Sequence, residues 1–121
     1  MRFMSFVYVD ENQGQPPQAL YEAMGPYIER SLKSGVLVET GGLAPKAKSK
    51  AVQLSGNKIS VIDGPFIEAK EMVGGYAVLE CGSEEEAVQV AKDFLQLHLD
   101  NWPGCEVRCE VRQIEFVTPN D

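Results

Sequence analysis

A chain of 121 residues is expected to form one domain over 1–121, long enough to hide roughly 65% of its unfolded surface. Eighteen acidic residues against eleven basic ones give a net charge of −7. A phosphate backbone would repel such a chain, which disfavours direct nucleic-acid binding. Apolar residues make up 44%, ordinary for a globular protein, and no apolar run approaches the ~18 residues that a membrane span requires.

Residues 2–9 are apolar on both alternating sets, with Phe3, Val7 and Val9 on one side and Met4, Phe6 and Tyr8 on the other. That pattern predicts a strand covered on both faces, not a signal peptide, since no small-residue cleavage site follows. Pro16 and Pro17 suit the first turn of a helix, and Leu20, Met24, Tyr27, Ile28 and Leu32 keep helical spacing up to Ser34. Gly25-Pro26 interrupts the run, so a kink or two short helices are expected there, with Gly35 as the stop. A second strand over 36–40 ends in Gly41-Gly42. After a solvated lysine loop comes a hairpin in which Val52 and Leu54 face Val61 and Ile59 across a Gly56-Asn57 turn.

Residues 76–81 read as a further strand. Ser83-Glu84-Glu85-Glu86 is a capping box, and its glutamates sit where the helix dipole favours negative charge. The stripe that follows is Ala87, Ala91, Phe94, Leu95 and His98. A last strand is expected over 106–116, with a bulge near Gln113 where the apolar parity shifts. The order is β-α-β, a β-hairpin, then β-α-β. It predicts an α+β, ferredoxin-like split β-α-β sheet with both helices on one face and an inserted hairpin. The bare face is also apolar, so a homodimer with sheets packed face to face, a dimeric α+β barrel, is expected.

Cys81, Cys105 and Cys109 are odd in number. On one strand the last two would lie roughly 13 Å apart, too far for a disulfide. Reduced thiols in a cytoplasmic protein are expected. With one histidine and no Cys-x-x-Cys pair, no metal site and no cofactor are marked. The chain also lacks a Gly-x-Ser-x-Gly elbow, a phosphate-cradling loop and His-Glu-x-x-His.

The most distinctive stretch is Asp63-Gly64-Pro65-Phe66, followed by Glu68, Lys70, Glu71 and Gly74-Gly75-Tyr76. With Gly41-Gly42-Leu43 and Pro45, Leu97-His98, Trp102-Pro103-Gly104 and Glu110-Val111-Arg112, it resembles the YCII-related, DGPF-domain family of bacterial dimeric α+β barrel proteins over nearly the whole chain. The resemblance implies a barrel-forming dimer and a cleft between sheet and loops, mostly without an established activity. Some members sit beside extracytoplasmic-function sigma factors, which implies a sigma factor as a possible partner. Better-understood relatives carry a histidine-aspartate pair with the histidine in the first half of the chain. This sequence has no histidine before position 98, so that dyad is not carried over.

Each candidate residue has two readings. Asp63 to Phe66 make a sharp turn with Phe66 plugging the core, or Asp63 projects into a cleft as an acid-base or ligand-binding carboxylate. Glu68, Lys70 and Glu71 form a solvated charge network, or a trio that binds a polar molecule. His98 is a packed core residue near a helix end, or a titrating group in a site. Trp102 is an apolar anchor at a helix stop or a stacking platform. Gly74-Gly75 allow close backbone approach beside Tyr76, or form a bulge. The leading expectation is a small polar or aromatic metabolite bound by Asp63, Phe66, Glu68, Lys70, Glu71 and Tyr76, with His98 in the lining. The alternative is a hydrolase or lyase in which Asp63 or His98 carries the proton.

Overall fold

The computed structural model describes residues 1–63 and 72–115. Four strands, β1 (Arg2–Val9), β2 (Leu37–Gly42), β5 (Met72–Glu80) and β6 (Val107–Gln113), form one sheet in the order β2-β5-β1-β6. β3 (Lys50–Ser55) and β4 (Lys58–Asp63) pair with each other as a separate two-stranded sheet. All pairings are antiparallel. With helices α1 (Gln18–Ser34) and α2 (Glu84–Asn101), this is the expected ferredoxin-like α+β fold. β1 lies between two neighbours, with its Phe3, Ser5 and Val7 side beneath the helices and its Met4, Phe6 and Tyr8 side on the other face.

Local chemistry explains the element ends. α1 starts after Pro17 and stops at Gly35, whose φ of 85° few other residues adopt, with its N–H donating to the Leu32 carbonyl (3.2 Å). Ser83 Oγ accepts from the Glu86 N–H (3.2 Å), while the Glu86 carboxylate accepts from the Gly82 N–H (2.7 Å). The reciprocal cap forms, one residue further back than the ideal box. The hairpin register matches the sequence reading, Val52 opposite Val61 and Leu54 opposite Ile59. Gly56 and Asn57 both have positive φ, as a tight two-residue turn demands.

Two expectations are corrected. Of the kink or two short helices expected at Gly25-Pro26, the two-helix form is excluded, since α1 is one helix with Pro26 inside it. Gly25 and Pro26 lie on its exposed side, where the carbonyl that loses a donor can turn to water. The last strand carries no bulge at Gln113: its register with β1 is unbroken from Val9 opposite Val107 to Phe3 opposite Gln113. The parity shift reflects an exposed glutamine at the end of the ladder, where there is no core left to enter. Register shifts fall elsewhere, at Gly74 in β5 and Val38 in β2. Phe116 lies outside the described residues.

The core is compact and off-centre. Phe3 (0% exposed), Leu37 and Leu79 (1%) stand opposite one another on three adjacent strands, closed by Cys81 and by Ala87 of α2, with Ile28 of α1 packed against them.

Candidate functional site

Further along the same layer the packing stops. A cavity of about 300 Å³ lies between the sheet and the two helices. Ser5, Val7 and Val9 of β1 form its floor with Gly74, Gly75 and Ala77 of β5. α1 supplies Leu20, Met24, Tyr27, Ile28 and Ser31, and α2 supplies Ala91, Phe94 and His98, with Trp102 at its end. The helical spacing of both stripes sends these side chains to one side. Small residues keep the space open. A Cβ on Gly75 would stand 3.0 Å from the Gly41 carbonyl oxygen, and one on Gly74 would stand 2.6 Å from Val9 Cγ2. Gly74 is thus the bulge residue, and Gly75 is where two backbones approach closely.

Most polar atoms around the cavity are already engaged. Ser31 Oγ donates to the Tyr27 carbonyl (2.8 Å), Thr40 Oγ1 to the Tyr76 carbonyl (2.8 Å), and the Tyr27 hydroxyl to the Val90 carbonyl (3.3 Å). Burial, then the nearby Asp93 carboxylate, push the Tyr27 phenol up, so it stays a protonated donor tying α1 to α2. Burial likewise raises the Cys109 thiol, opposed by a hydrogen bond with Ser5. His98, only 7% exposed, bonds through Nδ1 to the Phe94 carbonyl (3.0 Å), and its ring meets the Phe94 ring edge-on at 4.6 Å between centroids. The Trp102 N–H donates to the His98 carbonyl (2.8 Å) and ends the helix. No charged side chain lines the cavity among the described residues.

Of the residues singled out in sequence, the cavity takes in His98, Trp102, Gly74, Gly75 and Tyr76. Tyr76 alternates with Ala77, which puts its ring on the bare side of the sheet, against Gly41 (2.9 Å from a Cβ built there), so its main chain is what joins the floor. Asp63 ends β4 in the hairpin, largely exposed, with Lys50 at 3.8 Å, and is not among the lining residues. Phe66, Glu68, Lys70 and Glu71 lie outside the described residues. Sequence reading passed over Phe94, Ser31 and the α1 stripe as site residues. Their spacing was visible, but apolar spacing says which side a residue faces, not whether that side is filled.

Residues 1–95 match the model of the YCII-related domain. The chain belongs to the YCII-related family. It is also similar to an uncharacterized protein of Rhizobium meliloti (strain 1021), 32% identical over 90 residues, which cover 74% of this chain and 68% of that protein. The YCII-related match ends before His98 and Trp102, so the family likeness covers the floor and α1 wall while the α2 end of the cavity rests on this chain's own geometry.

Proposed function

We propose that this YCII-related protein binds a small, mostly apolar molecule of one or two rings between its sheet and its helices. The cavity itself carries the reading. Native interiors hold few voids larger than a water molecule, and 300 Å³ sits at the lower bound of the ~300–1,000 Å³ typical of ligand sites. The expected polar or aromatic ligand narrows to an aromatic one, because a charged group would find no counter-charge among the described lining residues.

The bare face of the sheet supports a homodimer as the working unit. Met4, Phe6, Tyr8 and Val78 alternate onto that face and are only half-buried, and the hairpin leaves Val52, Leu54, Ile59 and Val61 exposed. A dimeric mass by light scattering at micromolar concentration is the expected result.

Trp102, the sole tryptophan, borders the cavity and reports on it. Titration with naphthalene should change its fluorescence saturably. Ala91→Leu, which puts a larger side chain into the space, should weaken binding roughly tenfold or more, about 1.4 kcal/mol. No saturable change in the wild type, or undiminished binding by the variant, refutes the reading.

A further inference from the structure

We infer that His98 is the polar anchor of this cavity and selects aromatic ligands that carry a neutral hydrogen-bond donor, such as a phenolic hydroxyl. The inference rests on the binding reading above and adds to it the chemistry of recognition.

A carbonyl oxygen only accepts, so the Nδ1 contact with Phe94 places a proton on Nδ1. In the neutral ring Nε2 then holds the lone pair. No group among the described residues bonds to Nε2, and no side-chain nitrogen or oxygen there is both fully enclosed and unpartnered. Nε2 therefore meets open space, although His98 as a whole is 93% hidden (7% exposed). His98 lines the α2 end of the cavity and also adjoins a smaller hollow of about 110 Å³ with Leu95, Leu99 and Cys105. The hydroxyls of Tyr27, Ser31 and Thr40 have spent their donors on backbone carbonyls, so none of these three competes with a ligand for Nε2. Phe94 and Trp102 line the cavity with His98, and the Phe94 ring meets the imidazole edge-on, so aromatic surface borders the same space as the acceptor. A ligand without a donor would leave Nε2 dry and unpaired, which is costly in an apolar wall. A carboxylate would find no counter-charge among the described lining residues.

Naphthalene, 2-naphthol and 2-methoxynaphthalene separate the possibilities, with affinities read by Trp102 fluorescence and calorimetry. In the wild type, 2-naphthol should bind about fivefold to tenfold tighter than 2-methoxynaphthalene, the worth of one net hydrogen bond. His98→Leu should bring the ratio of 2-naphthol to naphthalene affinity down by about the same factor while naphthalene still binds, and His98→Gln, which keeps an acceptor, should restore part of it. If naphthalene binds but the ratio is the same in the wild type and His98→Leu, the anchor is wrong and the cavity reading stands. If none of the three binds the wild type, both fall. Should His98→Leu not fold, equal wild-type affinities for 2-naphthol and its methyl ether overturn the inference alone.

Discussion

Around Phe3 and Ala87 the space between helices and sheet is filled, with Leu37 and Leu79 on the border of the two regions. One to three turns along the same helices, around Ser31, Ala91 and His98, it is hollow. The elements, their pairing and their amphipathic stripes are shared by both regions. What differs is side-chain volume: Phe and Leu meet across strands at one end, while Gly74, Gly75 and Ala77 lie under Ala91 and Ser31 at the other. Folding energy is concentrated in the first region, which leaves the second free to hold something else. A fold this small can carry a cavity only if the rest of its core is tight.

The contrast can be broken most forcefully at Leu79, 1% exposed and paired with both Phe3 and Leu37. Leu79→Ala should cost about 3 kcal/mol, since lost burial and a new void add, and urea denaturation measures it. Ala87 and Ala91 give a sharper comparison because they sit one turn apart on α2, one in the filled core and one at the cavity. Ala87→Leu should destabilise by about 1–3 kcal/mol through overpacking, whereas Ala91→Leu should be neutral or stabilising by up to ~1 kcal/mol. Equal losses at both sites would mean that the cavity closes in solution.

The smallest effect concerns the thiols. Burial pushes Cys81, Cys105 and Cys109 up, so the folded chain holds protons that the unfolded chain releases. Stability should be unaffected below the ordinary thiol value of ~8.5 and should decline as pH rises beyond it. Alkylation at pH 8 should be slower in the native protein than in urea, because less thiolate is present. Equal rates would show that these thiols are not sheltered.

The strands, the hairpin register and the helix cap were legible in the chain because each is decided by neighbours within a few residues. Val52 to Val61 around Gly56-Asn57, and Ser83 with Glu86, need no distant partner. The sheet order followed from counting elements. The cavity was not legible, since Phe94 and Leu20 have the same spacing whether they touch a leucine or empty space. Its floor depends on Gly41 and Gly75, 34 positions apart in sequence but adjoining in the sheet. His98 was marked because histidine is rare on an apolar stripe, and its free nitrogen emerged only once Nδ1 was seen to be occupied.

Pro26 gives α1 a seam. The amide missing at that position interrupts the hydrogen-bond ladder between the half bearing Leu20 and Met24 and the half bearing Tyr27 and Ser31. The second half is tied to α2 by the Tyr27 hydroxyl and ends on the αL turn at Gly35, whereas the first half begins at Pro17 with no side-chain cap. Amide hydrogens before the proline are therefore expected to exchange with solvent through excursions that leave residues 27–34 folded. The wall containing Leu20 and Met24 is then expected to be less protected from exchange than the end around His98.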